Sequence, residues 1–142
     1  MNIKILDKNA VVPTHGSAEA AGWDLYNAGP SVIIPAGETV KIDTGISIEL
    51  PKGTFGGIFS RSGLATNYGV SMSNGVGVID SDYRGPVIVA LHNHSLKEAS
   101  IMHGERVAQL VVIPYVEVAL NVVEDLSETD RGSSGFGSTG KL

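Results

Sequence analysis

From Thr39 to Leu50 the chain reads TVKIDTGISIEL, with Val40, Ile42, Thr44, Ile46, Ile48 and Leu50 on every second position. A period of two puts one side of a strand against an interior, so the spacing predicts a single long strand here. Further strands are predicted for NIKIL (2–6), SVIIP (31–35), PVIVALHN (86–93) and AQLVVIPYVEVAL (108–120), all rich in Val and Ile and bounded by turn residues. The one helical candidate is GLATNYG (63–69), at most two turns long before Gly69 stops it. Many short strands with almost no helical period predict an all-β jelly-roll or β-barrel. After Val123 the pattern changes to EDLSETDRGSSGFGSTG, polar and glycine-rich. That shift predicts a β core over 1–123 and a flexible C-terminal tail over 124–142.

Composition narrows the function classes. A chain of 142 residues makes one domain, able to bury roughly 70% of its unfolded surface. A net charge of −5 argues against a nucleic-acid surface, which is ordinarily basic. There is no cysteine, so disulfides, thiolate catalysis and cysteine–zinc sites are excluded. The start MNIKILDKNA resembles neither a signal peptide nor an anchor, and no apolar run is long enough to span a bilayer. A soluble cytoplasmic domain is expected.

Candidate chemistry gathers in three stretches. The chain has four arginines: Arg61, Arg84, Arg106 and Arg131. Arg61 stands beside Ser62 and Gly63 just before the short helix, where a guanidinium, a hydroxyl and backbone N–H groups can converge on an anion. Taken singly, each arginine also reads as a solvated surface charge. In SNGVGVIDSDYRG (73–85), Asn74-Gly75 calls for a hairpin or tight turn with positive φ. Gly77 within VGVID suggests close approach of a backbone or ligand, with free backbone groups able to read a planar heterocycle. Asp80 closes that apolar run, where partial desolvation suits a general base; the competing reading makes Asp80 and Asp82 ordinary turn residues. In the tail, RGSSGFGSTGKL satisfies G-x-G-x-x-G through Gly135, Gly137 and Gly140, yet the helix such loops normally open is not expected. Phe136 among glycines and serines suits stacking on a base. His92 and His94 share a strand face, but H-x-H there more often faces solvent than metal, and no third ligand is near in sequence. Ser62 has no adjacent base to make it a nucleophile. Trp23, Tyr26 and Tyr115 read as core or interface aromatics.

These pieces together resemble the trimeric dUTP pyrophosphatases (dUTPases). Five motifs of that family stand in order: AGWDLYN (21–27), SRSGLA (60–65), NGVGVIDSDYRG (74–85), GERVAQLVV (104–112) and RGSSGFGSTG (131–140). The resemblance implies a distorted jelly-roll/β-barrel with one short helix and a glycine-rich lid. It implies that Asn74 and the backbone of Gly77, Val78 and Ile79 read uracil, that Asp80 activates the attacking water, and that Tyr83 packs beneath deoxyribose. Arg61, Ser62, Gly63 and Gln109 correspond to phosphate contacts. Arg106 corresponds to a structural or interface charge, and Asp24 to support of either the metal's water shell or the site's framework. The tail would close over a neighbouring subunit's site, with Arg131 on the γ-phosphate, Phe136 on uracil, and Gly137, Ser138 and Thr139 around the phosphates. Substrate dUTP, Mg²⁺ carried on its phosphates and a homotrimer are implied, with no nucleic-acid or membrane partner. The sequence departs from the family's habit at Trp23, Gly57, Ser60, Pro86 and Ser134. Rival readings are a dCTP deaminase, which needs an added glutamate near the cytosine amino group, a non-catalytic binding protein and a structural β-trimer.

Overall fold

The stretch from Thr39 to Leu50 is two strands rather than one. The computed structural model describes residues 1–135, and in it the alternation is broken at Gly45, whose φ is 67°. The Gly45 N–H donates to the Asp43 side chain (2.8 Å), turning the chain so that each half pairs elsewhere. Among the described residues the elements are β1 (Asn2–Ile5), β2 (Thr14–His15), β3 (Trp23–Tyr26), β4 (Val32–Ile34), β5 (Thr39–Asp43), β6 (Ile46–Glu49) and β7 (Thr54–Phe59). Then come α1 (Ser62–Tyr68), β8 (Val70–Met72), β9 (Gly77–Ile79), β10 (Ile88–Asn93), β11 (Ala99–Ile101) and β12 (Arg106–Pro114). The predicted helix is present and ends at Gly69, which is left-handed (φ 68°) and donates to the last-turn carbonyls of Ala65 and Leu64.

All pairings are antiparallel and fall into four sheets: β1–β6, β5–β10–β8, β11–β4, and the five-stranded β2–β3–β12–β7–β9. This is the expected all-β jelly-roll type, although the sheets do not close into a barrel. The faces meet in one core containing Leu25, Ile34, Ile46, Val89, Leu91, Ile101 and Leu110, each about fully buried. Two buried amides tie loops into it. Asn93 donates to the carbonyls of Ile34 and Lys97 and accepts from Ser95 N–H, while Asn27 does the same for Pro30, Met102 and Gly29. No buried side-chain polar atom among the described residues lacks a partner.

The predicted strand 108–120 stops early. Its last ladder partner is Pro114, opposite Thr54, and Tyr115 N–H makes one more bond to the Gly53 carbonyl. From there to Ser134 every residue is exposed and none lies in a strand. Strands β3 and β7 escaped the periodicity reading. In β7 the pair Gly56-Gly57 removes side chains from the pattern, because the space is already filled: a Cβ on Gly56 would stand 2.9 Å from Leu110, and one on Gly57 2.6 Å from Phe59. Among the described residues no helix is long and apolar enough to cross a membrane.

Candidate active site

The stretch 73–85 makes a corner between sheets instead of a hairpin. Asn74-Gly75 forms the tight turn, with φ of 70° at Gly75, but β8 before it pairs with β10 while β9 after it pairs with β7. As the chain changes sheets there, the two sheets part, and a cavity of about 260 Å³ opens between them. Its walls come from Ile58, Met72, Asn74, the β9 residues Gly77, Val78 and Ile79, then Asp80, Tyr83, Pro86 and the β10 side. Among the described residues strand β9 ends its sheet, so one edge is spent on β7 and the other carries no strand. Unpaired backbone donors and acceptors along an edge are a template for a partner with complementary groups. Gly77 is buried, and a Cβ on it would stand 3.2 Å from Ile58, so the close backbone approach expected there is met within the fold itself.

Asp80 differs from expectation: its side chain is exposed rather than partly desolvated. It stands on the ridge between this cavity and a shallower depression lined by Lys52, Tyr115 and Glu117. Among the described residues it is the one carboxylate lining the smaller cavity, and no glutamate does. Tyr83 is held by a turn, its N–H donating to the Asp80 carbonyl (3.1 Å), and by its hydroxyl, which donates to the Pro86 carbonyl (3.1 Å). The ring lies over Gly85, where a Cβ would overlap the phenol, so the glycine is what allows this tyrosine rotamer.

A second cluster is built on β3 and β12. The ladder places Gln109 beside Asp24 on one side and Phe59 on the other. The Asp24 carboxylate is 13% exposed and accepts from Arg61 Nε (3.0 Å) at one oxygen and Arg106 Nη1 (3.3 Å) at the other. Arg61 also donates to the Arg106 carbonyl (3.3 Å). One carboxylate thereby orients two guanidinium groups, leaving their remaining N–H donors for another anion. Gln109 donates to the Ser60 carbonyl (3.0 Å), and the Ser60 hydroxyl accepts from Met72 N–H (2.8 Å). Ser62 and Gly63 open the helix with no side-chain cap, both exposed. Of these, Asp24, Ser60 and Gln109 line a depression of about 860 Å³ together with Gly22, Gly75 and others, while Arg61, Ser62, Gly63 and Arg106 are not part of its wall.

The structure therefore brings the sequence-derived residues together as two groups. Asn74, Gly77, Val78, Ile79, Asp80 and Tyr83 surround one cavity; Asp24 and Gln109 line another, with Arg61 and Arg106 joined to it through the Asp24 carboxylate. The adjacent turn residues Asn74 and Gly75 separate the two. Arg131 joins neither. It is exposed on the tail, its Nε donating to the Ser134 carbonyl (3.0 Å). Phe136, Gly137, Ser138 and Thr139 lie outside the described residues. His92 and His94 face one another at 4.4 Å between ring centroids, each bonded to a hydroxyl, of Thr39 and Ser71 respectively. Trp23 and Tyr26 are half-buried, Trp23 against His15 (3.7 Å between centroids), and Tyr115 is half exposed. Two contributors were missed in the sequence. Gly22 is required because a Cβ there would stand 2.8 Å from Gln109 Oε1, and its place just before Trp23 in AGWDLYN was the available signal. Arg84 was noted only as scarce, yet it ties down the loop that carries Tyr83.

Comparison with known proteins shows the family. A family profile described as dUTPase matches residues 8–140. The deoxyuridine 5'-triphosphate nucleotidohydrolase of Yarrowia lipolytica is 46% identical over 142 residues, covering 99% of this chain and 88% of that one. Among solved structures, a variant of the Staphylococcus bacteriophage 80alpha dUTPase with dUpNHpp superposes with a TM-score of 0.91 at 28% identity, over 98% of this chain and 97% of the other. The dUTPase of phage phi11 of S. aureus, described with a structural Mg(II) ion, shares the fold with a TM-score of 0.82 at 23% identity, over 89% of this chain and 98% of that one. The chain belongs to the dUTPase family.

Proposed function

We propose that this protein hydrolyses dUTP to dUMP and pyrophosphate by attack of water on the α-phosphorus, with Asp80 as the general base. The observation that carries this reading is the free edge of β9 along a cavity of about 260 Å³ with Asp80 at its rim. The backbone of Gly77, Val78 and Ile79, with the Asn74 side chain, pairs with the uracil edge. The tight corner leaves no space for a thymine methyl and mismatches the cytosine amino group. Tyr83 packs against deoxyribose and excludes a 2′-hydroxyl. The Asp80 carboxylate takes a proton from water as its oxygen bonds to phosphorus, and the α–β bridging oxygen leaves with pyrophosphate.

Arg61, Ser62, Gly63 and Gln109 receive the phosphates, and Asp24 with Arg106 sets the Arg61 guanidinium for them. Because the base-reading corner and this phosphate cluster border separate cavities within one chain, the reading places them together across subunits of a homotrimer. The tail closes a neighbour's site, Arg131 on the γ-phosphate, Phe136 over the base, and Gly137, Ser138 and Thr139 around the phosphates. Among the described residues no three His, Asp or Glu gather into a cage, and Asp24 is engaged by two arginines. That donor set fits Mg²⁺ carried on the substrate, since this ion commonly keeps its waters and rides on phosphates. When bound, Mg²⁺ neutralises phosphate charge and aligns the leaving group. We place the reaction in the cytoplasm, where it limits uracil incorporation into DNA and supplies dUMP for thymidylate synthesis. Pyrophosphate release from dUTP, dCTP, dTTP and UTP tests the reading: turnover of dUTP alone is expected, and a preference for dCTP or no turnover rejects it.

A further inference from the structure

The loop Ser81–Gly85 carries Tyr83 to the cavity wall but contains no regular secondary structure of its own. What fixes it is Arg84. Its Nη1 donates to the carbonyls of Ser81 (2.7 Å) and Tyr83 (2.9 Å), bridging the peptide that precedes Asp82 and the one that follows Tyr83. Its Nη2 donates to Glu49 Oε1 (3.1 Å) on β6, and its own carbonyl accepts from the buried Ser47 hydroxyl (2.7 Å) on the same strand. The second Glu49 oxygen accepts from the Asn2 amide (2.6 Å) on β1. One guanidinium plane therefore joins a loop to a strand pair outside the five-stranded sheet.

We propose that Arg84, oriented by Glu49, is a positioning pair that sets the Tyr83 wall and thereby the selection of deoxyribose over ribose. This inference rests on the dUTP reading of the cavity. The pair is half exposed at both ends, 52% and 49% for the side chains, and exposed ion pairs contribute little to global stability. Its consequence is local. Two carbonyls and one carboxylate held by a rigid fork restrict the backbone on both sides of Asp82, and with it the angle at which Tyr83 leaves the chain. Among the described residues Tyr83 has one other tether beyond its turn, the bond to the Pro86 carbonyl. Lysine cannot replace the fork, because an ammonium is a point donor on a flexible stem.

The test uses the full chain with Glu49→Gln and Arg84→Lys, and combines two measurements. Amide hydrogen exchange reports the brace without any turnover. Faster exchange at Tyr83 N–H, which bonds to the Asp80 carbonyl, is expected in both variants, with the β12 and β10 amides unchanged. Rates on dUTP and UTP report the consequence: the preference for dUTP is expected to fall about tenfold in Arg84→Lys, the scale of a modest loss of pocket fit. A general loss of structure would lower both rates together and leave their ratio alone, which overturns the assignment. Unchanged exchange at Tyr83 overturns it too. Absence of dUTP turnover in the parent protein rejects the substrate reading instead, and the exchange measurement then still decides whether Arg84 positions Tyr83.

Discussion

Asp80 holds its position through the backbone more than through side-chain contacts, since among the described residues its side chain makes no hydrogen bond and it is exposed at the cavity rim. Asp80→Asn keeps size and shape while removing the proton acceptor. Turnover of dUTP is expected to fall by about 10²–10⁴, the usual worth of a general base, while binding of a non-hydrolysable analogue stays within a few-fold. A variant that turns over at the parental rate would take the base role from Asp80. Glu49 makes a second residue-scale test. Donation from Asn2, and then the charge of Arg84, holds its carboxyl below the ordinary glutamate value of 4.5. A depressed carboxyl stabilises the fold above that ordinary value, and the contribution disappears as pH falls through the lowered one. Because the pair is half exposed and screened by solvent, the urea midpoint of Glu49→Gln is expected only slightly below the parent's at neutral pH, with that small gap closing under acid conditions. A gap that persists undiminished in acid would show that charge is not its source. The turn at Asn74-Gly75 was legible because turn chemistry is a local signal, whereas the exposure of Asp80 was not, because the apolar run before it pointed to partial desolvation. Glu49 and Gly22 were not, because what makes them matter is a partner 35 positions away in one case and a Gln109 side chain across a ladder in the other.

Elements show the same division. The strand pattern around Thr39 marked the inward residues of both halves, since Ile42, Ile46 and Ile48 are all buried, but in the second half the alternate Ser47 is buried as well. It could not show the break, because a glycine in a period-two run looks like a tolerated gap. The break is enforced by space as well as by φ. A Cβ on Gly45 would stand 2.8 Å from the methyls of both Ala10 and Ala28, whereas Gly53, at a similar φ of 77°, has nothing within 4 Å. The two glycines separate conformational from steric cost. Gly53→Ala is expected to lose about 1–2 kcal/mol, the penalty of a left-handed L-residue. Gly45→Ala adds overpacking between two fixed methyls, for a total of about 3 kcal/mol or more by chemical denaturation. Equal losses would mean that the loop bearing Ala10 yields freely. The corner at Asn74-Gly75 was half legible in the same sense. Turn residues were read correctly, but which sheet each flanking strand joins depends on β7 and β10, neither of which is encoded in the turn.

At the scale of the whole molecule, the stretch after Pro114 poses a problem that one chain does not solve. Val116, Val118, Leu120 and Val122 keep a period of two, yet they are 84%, 70%, 95% and 103% exposed. A solvated linker has no need of four apolar residues on one side, and burying a Val or Leu side chain is worth about 1.5–3 kcal/mol each. The sequence reading placed 108–120 in a strand of the 1–123 core on its Val and Ile content; the alternation it carries is real, and what is absent from a single chain is the surface it would cover. The proposed trimer supplies one, and a truncation series tests it by separating assembly from catalysis. A chain ending at Asp130 retains the apolar stretch and loses the tail bearing Arg131 and Phe136. It is expected to sediment as a trimer, melt close to the parent and hydrolyse dUTP poorly. A chain ending at Tyr115 keeps β12 and its last bond to Gly53, so the β fold should survive in circular dichroism while the protein sediments as a monomer. Replacing Val118 and Leu120 together by lysine in the full chain should reproduce that dissociation, because two charges would have to be desolvated at the contact. If the shorter chain remains trimeric, the alternating stretch is not part of the interface, and the separation between the Asp80 corner and the Arg61 cluster must be bridged by other surfaces.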